Sequence, residues 1–308
     1  MAVLARSAGY PDYHRVFIPE LWVPEMQLQF ELASTFQDIS TTKYEGEIKD
    51  YGDSVYISIE PTVTINDHTV GQKLIRETLA ASTVLLEINK AKSFSIHVDD
   101  ISQKQSQVDI ISAFSKSAAR RMKEKIDYTV LQGIYNSEAT YNSGATAGYD
   151  TRGYNLGVSG TPKAVTSANI LDTITDISSV LDERSVPAEG RWLVIPPAFQ
   201  NLVLKSDLKD ASFVGTGTSI ALNGKIQKQI CGFDIYISRQ LYSASDGGHT
   251  CFYCLAGNRD SLAFASQLVN TRAIEANDTF GQYIDGLQVF GYKVVRSEGL
   301  AVFYGYKG

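Results

Sequence analysis

Cys251 and Cys254 are spaced as C-x-x-C, the spacing of a redox pair or of half a zinc site. A four-ligand zinc site needs a second pair, and the chain has none at a suitable spacing. Residues three apart in a strand point to opposite faces, so these two thiols would diverge. Phe252, Tyr253 and Leu255 around them read as core, which makes the pair small buried hydrophobes. His97 stands beside Asp99 and Asp100, the makings of a base with its orienting acid. At the junction of a strand and a helix, a structural histidine followed by two helix-start acids is the plainer reading. His14, His68, His97 and His249 are too far apart in the chain for any metal-ligand spacing. Gly215 to Ile220 opens like a dinucleotide fingerprint but has Ile220 where the third glycine belongs. Asn223 to Ile226 lacks the upstream glycine and the Ser/Thr of a phosphate loop, and there is no G-x-S-x-G elbow. The sequence therefore assigns no catalytic residue, no metal ligand and no cofactor site.

Charge offers a different kind of chemistry. Lys116, Arg120, Arg121, Lys123 and Lys125 crowd into ten residues. They read as a solvated basic face, or as one that meets acidic groups of a neighbouring subunit or DNA phosphates. The element that carries them is a long helix from Gln105 to Tyr135. Ile111, Phe114, Ala118, Met122, Ile126, Val130 and Ile134 recur at steps of three and four, with no proline between them. Ser102 or Ser106 would cap its start.

Before the helix the period changes to two. Val55, Ile57, Ile59, Val63 and Ile65 alternate with small polar residues, and Pro61 marks a bulge or an edge. Val84, Leu86, Ile88, Phe94, Ile96 and Val98 form the return run. The result is a two-stranded arm whose tip, between residues 66 and 83, carries Val70, Lys73, Leu74, Ile75, Arg76 and Leu79. Such a ribbon is marginal alone in water, so it needs its own domain or a neighbouring copy to lie on. Residues 1–41 also read as an extended arm, broken by Pro11, Pro19 and Pro24, with Phe17 and Trp22 in need of burial. Pro24 to Thr35 would make a short helix.

After the long helix, 136–162 reads as a loop, a surface excursion rich in small and polar residues. Thr166 or Ser167 would cap a helix through Ile170 to Leu181. Trp192 to Ile195 is a short buried strand, and Pro197 opens the next helix. Ile226 to Ile237, Thr250 to Leu255, a long strand through Gly291, and Leu300 to Tyr304 follow as strands. Helices and strands mix without regular alternation, which favours an α+β class.

Composition sets the outer limits. The 308 residues, 44% hydrophobic and 20% charged, suit one large or two modest domains. A net charge of -6 argues against nucleic-acid binding over the whole surface. The N-terminus has no apolar run of signal-peptide length, and nothing approaches the length of a membrane span. Three cysteines make no disulfide framework, which points to a reducing compartment. The seventeen tyrosines are scattered, as core and interface residues are.

The order of pieces is a leading arm, a long hairpin, the HVDDIS turn at His97 to Ser102 and a long helix. Later come RWLVIPPAFQNLVL from Arg191, GKIQKQICGFDIYIS from Gly224 and DGLQVFGYKVVRSEGLAV from Asp285. This order resembles the major capsid proteins of tailed bacteriophages, with the Hong Kong 97-type fold. The resemblance implies the following layout. Residues 1–41 are an N-terminal arm and 42–100 an extended loop. A peripheral domain with the spine helix takes 101–164 and 264–296, and an axial domain takes 165–263 and 297–308. It implies a self-assembling shell of hexamers and pentamers around double-stranded DNA, built in the host cytoplasm and found in the virion. Val70, Lys73, Leu74, Ile75, Arg76, Leu79, Phe17 and Trp22 would then be subunit contacts. A separate scaffolding protein (or prior removal of an N-terminal scaffolding segment), a portal and a decoration protein are what it brings, with no membrane. Some relatives join subunits by a Lys–Asn bond. Lys73 and Asn277 stand where such a pair would be, and the expectation is that this bond is not made. A nanocompartment shell of the same fold is the alternative reading. An enzyme using Cys251, Cys254 or His97 is the third.

Overall fold

The computed structural model describes residues 35–44, 54–61, 63–73, 76–78, 82–99, 110–206, 229–276 and 279–308, with backbone alone at 110–115 and 267–271. The Pro24-to-Thr35 helix, the caps at Ser102 and Ser106, and the strand start before Gln229 lie outside these residues. So do Phe17, Trp22, Leu74, Ile75, Leu79 and Asn277.

The chain groups into two compact units. One holds Ala91–Ile126 and Leu268–Val289; the other holds Ser34–Lys90, Asp127–Gln267 and Phe290–Gly308.

The long helix, α2, runs Ile110–Ile134; it follows the short α1, Phe36–Ile39. Ile126, Val130 and Ile134 are buried as their spacing requires, joined by Leu131 and by the charged Asp127. Gly133 does not end the helix. The Tyr292 ring lies where its side chain would be, and the Tyr292 hydroxyl donates to the Thr129 carbonyl at 3.0 Å.

The alternating run before α2 becomes three strands: β1 Ser54–Ile59, β2 Ser82–Glu87 and β3 Lys90–Asp99. β1 pairs antiparallel with β2, Val55 opposite Leu86 and Ile57 opposite Val84, so the odd and even apolar sets share a face. The strand expected to reach Ile65 stops at Ile59. Pro61 cannot donate to a ladder, and Val63 and Ile65 beyond it are exposed. β3 leaves the ribbon and joins β10 Leu262–Glu275 and β11 Gly281–Val294 in a three-stranded sheet, order β10-β11-β3. Val98 and Ile284 form a small core there, with Phe94 and Ile96 against it.

The second sheet is larger. Its order is β4-β12-β9-β5-β7-β6, with β8 also on β9. The strands are β4 Lys163–Val165, β5 Arg191–Ile195, β6 Gln229–Ile230, β7 Phe233–Ile237, β8 Ser243–Asp246, β9 His249–Asn258 and β12 Leu300–Lys307. All five residues of β5 are buried, as an apolar run in a central strand demands. β5 runs parallel to β7, as β12 does to β4, and α4, Pro197–Lys205, opens on Pro197 as expected. α3 spans Ile170–Asp182 with its apolar stripe buried. Neither Thr166 nor Ser167 caps it. Asn169 is the N-cap residue, and its side-chain oxygen turns back to accept from the Thr166 amide at 2.7 Å. The last strand, β12, lies inside the sheet between β4 and β9.

The segment 136–162 is a loop with many exposed residues, as expected, but it is anchored inward at a few points. Asn142, Ala147 and Leu156 are fully buried. The Asn142 amide donates to the carbonyls of Glu298 at 2.7 Å and Leu300 at 2.9 Å. Gly157, at φ 78°, lies so close to the Tyr304 carbonyl that any side chain would collide with it.

Candidate assembly surfaces

The residues with catalytic potential are dispersed. Cys251 and Cys254 are buried in β9, and burial pushes the Cys254 thiol well above its ordinary range. A thiol held protonated is neither nucleophile nor ligand. His97 is in β3, its ring 4.9 Å from that of Tyr283 and its Nε2 3.2 Å from the Thr279 hydroxyl. Among the described residues, no three His, Cys, Asp or Glu side chains gather closely enough to hold a metal ion. A cavity of about 230 Å³ opens at the root of the hairpin, lined by Ile57, Ser58, Ile59, Asp260, Val295 and Arg296 among others. Its one carboxylate, Asp260, is paired with Lys43 at 2.8 Å, and neither histidine nor cysteine lines it.

The surfaces are more informative. Beyond β1 the hairpin offers water a run of apolar side chains: Val63 is 60% exposed, Ile65 92% and Val70 106%. Lys73 and Arg76 are exposed beside them. Thr64 is held by Glu77, whose carboxylate accepts from the Thr64 amide at 3.0 Å, so the two sides of this segment are tied together. The ribbon thus has internal order, yet Val63, Ile65 and Val70 have no cover within the described residues. A lone chain seldom keeps such groups in water without a use for them.

Lys116, Arg120, Arg121, Lys123 and Lys125 are all exposed on α2. The 3.6-residue period divides them into two stripes, Lys116–Arg120–Lys123 and Arg121–Lys125. Arg121 lies 3.9 Å from Glu124. A third exposed set belongs to the three-stranded sheet and the turn before β11: Ile274, Tyr283 and Leu287 in the strands and Phe280, 82% exposed, just before Gly281. Asp285 in the same sheet is held below the usual carboxylate range by the Ser95 hydroxyl and by Arg272, whose Nε is 3.1 Å away.

Sequence reasoning missed the buried polar residues that fasten these parts. Asp127, Asn142 and Arg191 are 1%, 0% and 3% exposed. Arg191 donates to Asp182 at 2.6 Å, to the Ser178 hydroxyl at 3.2 Å and to the Pro187 carbonyl at 3.1 Å. Arg191 heads the apolar run of β5 and Asp127 lies on the apolar stripe of α2, whereas Asn142 stands among small polar residues and carries no signal in the sequence.

The phage capsid protein family model matches residues 81–303, well over half of the chain. The chain belongs to the phage capsid protein family. Among solved structures it is similar to one from Mycobacterium phage Che8, 24% identical over 93% of this chain and 97% of that one, with a TM-score of 0.73. The capsid of Cyanophage P-SCSP1u is 16% identical over 98% and 100%, with a TM-score of 0.70. The mature capsid of bacteriophage PhiM1 is 16% identical over 92% and 90%, with a TM-score of 0.65. At such identities the likeness is one of fold, and the fold is Hong Kong 97-like. No curated protein sequence matches the chain. The family is one of structural shell proteins, and its match favours a phage capsid over a nanocompartment.

Proposed function

We propose that this phage capsid protein is the shell subunit that closes, as hexamers and pentamers, around double-stranded DNA. The carrying observation is the hairpin, with Val63, Ile65 and Val70 left 60%, 92% and 106% exposed on a ribbon too thin to bury them itself. A neighbouring copy is the cover that a capsid supplies in every subunit. In this reading Val70, Lys73, Leu74, Ile75, Arg76 and Leu79 meet the adjacent subunit, and Phe17 and Trp22 do the same from the arm. The region 165–263 with 297–308 forms the axial domain around the hexamer and pentamer axes. The peripheral domain, 101–164 and 264–296, lies further out. The basic stripes of α2 take DNA phosphates or acidic groups of a neighbour. Scaffolding, DNA entry and decoration fall to separate proteins, assembly to the host cytoplasm.

The test is deletion of residues 66–83, with Ile65 joined to Val84 by a short glycine-containing turn. Each buried aliphatic side chain contributes about 1.5–3 kcal/mol, repeated at every contact of a closed shell. The deletion protein is expected to melt cooperatively yet sediment as monomers or small rings. Closed shells of normal size would remove the hairpin from the subunit interface.

A further inference from the structure

Asp127 sits in the most buried part of α2, next to Ile126 and one turn before Val130 and Leu131, and is itself 1% exposed. A carboxylate in such a place is costly unless donors converge on it. Here they do. Its Oδ1 accepts from the Thr35 amide at 3.1 Å, the Phe36 amide at 2.9 Å and the Thr35 hydroxyl at 2.8 Å. These donors lie more than ninety residues away in sequence, at the point where the leading segment enters α1. The far end of the same segment is also fastened. The Thr41 amide donates to the Leu262 carbonyl at 2.8 Å, and the Phe264 amide donates to the Thr41 carbonyl at 3.0 Å. Between the two ends Phe36 and Ile39 are buried, and the Phe36 ring is 4.8 Å from that of Phe264.

We infer that Asp127 is a positioning residue for assembly: it fixes the backbone at Thr35 and Phe36, where the arm proposed above joins the described fold, and that anchoring is what lets the arm engage a neighbouring copy. This rests on the reading above that residues 1–41 act between subunits. Burial of Phe36 and Ile39 holds the segment down but sets no direction, because apolar contact is non-directional. Three donors on one charged oxygen do set one, since hydrogen-bond strength falls steeply with angle and charge assistance strengthens each bond. Seven residues fastened at both ends also separate arm from hairpin.

The experiment compares four full-length proteins with wild type, by thermal melting and by the fraction of closed shells in sedimentation and negative-stain images. Asp127→Ala removes the acceptor, Asp127→Asn keeps an oxygen there, and Leu181→Ala weakens the buried core at α3, which makes none of the contacts of Thr35 or Phe36 with Asp127. Phe17→Ala/Trp22→Ala tests the arm itself. At matched melting temperature, Asp127→Ala is expected to close at least tenfold fewer shells than Leu181→Ala, and Asp127→Asn to recover most of the loss. Equal closure by Asp127→Ala and Leu181→Ala would overturn the inference, as would failure of Asp127→Asn to do better than Asp127→Ala. If Asp127→Ala does not fold, Thr35→Val removes one donor and leaves both amides, and the same comparison applies with a smaller deficit. Normal closure by Phe17→Ala/Trp22→Ala would sink the arm reading. Blocked closure there with normal closure by Asp127→Ala would sink only the assignment to Asp127.

Discussion

At the scale of single residues, this protein uses buried polar groups as fasteners and holds Cys251 and Cys254 in its core. Cys254 is protonated by burial, whereas Asp127, Asn142 and Arg191 each satisfy several partners from a buried position. Glu138 is less well served. It follows the end of α2, its Oε2 is buried without a hydrogen-bond partner among the described residues, and burial raises its carboxyl above the usual range. Its own amide and the Ser143 hydroxyl oppose that rise but do not cancel it. A raised value means that the folded chain keeps the proton to higher pH than the unfolded chain does. Between the ordinary carboxyl value, about 4.3, and the raised one, stability therefore falls as pH rises. Glu138→Gln is expected to lack this slope and to gain on wild type as pH climbs through that window. Parallel melting-temperature curves for the two proteins from pH 4 to pH 7 would show that the carboxylate is tolerated where it lies.

At the scale of elements, period and punctuation act together. α2 has the apolar spacing and lacks a proline for 25 residues. Ile126→Pro would remove a backbone donor and clash one turn back, at a cost of about 3 kcal/mol or more. It is expected to yield insoluble or non-assembling protein; soluble protein that still builds shells would mean that α2 tolerates a break at its buried centre. Two hairpins show punctuation that sequence reading passed over. Cys231 and Gly232, at φ 49° and 82°, join β6 to β7, and Gly247 and Gly248, at φ 58° and 80°, join β8 to β9. Two consecutive left-handed residues make the type I′ turn whose twist matches the strands. Gly-Gly advertises that turn, whereas cysteine in the left-handed region does not.

At the scale of the whole molecule, assembly is a sum of modest contacts repeated by symmetry. Val63, Ile65 and Val70 are exposed in one folded chain and contribute little to it; in the proposed reading their burial comes from the contacts of the closed shell. Contacts of this kind need no covalent help, and we expect none between Lys73 and Asn277. Assembled particles boiled in denaturant and reductant should run as a single band at the subunit mass. A ladder of multimers would reverse that expectation and make covalent locking part of shell closure.

Local chemistry alone determined the long helix, the alternating ribbon, the buried β5 and the proline that opens α4, because each depends on period or on a residue's own backbone limits. It also determined that the two C-x-x-C thiols are core, since neighbouring side chains and strand geometry suffice for that. The tertiary structure decided what depends on residues far apart in the chain. It split the return run between two sheets, placed β12 between β4 and β9, and drew 136–162 inward through Asn142 and Leu156. It also brought Asp127 to Thr35. No periodicity encodes a hydrogen bond across 92 residues. Such a bond exists only once the apolar stripe of α2 has been buried and the leading segment has been laid against it.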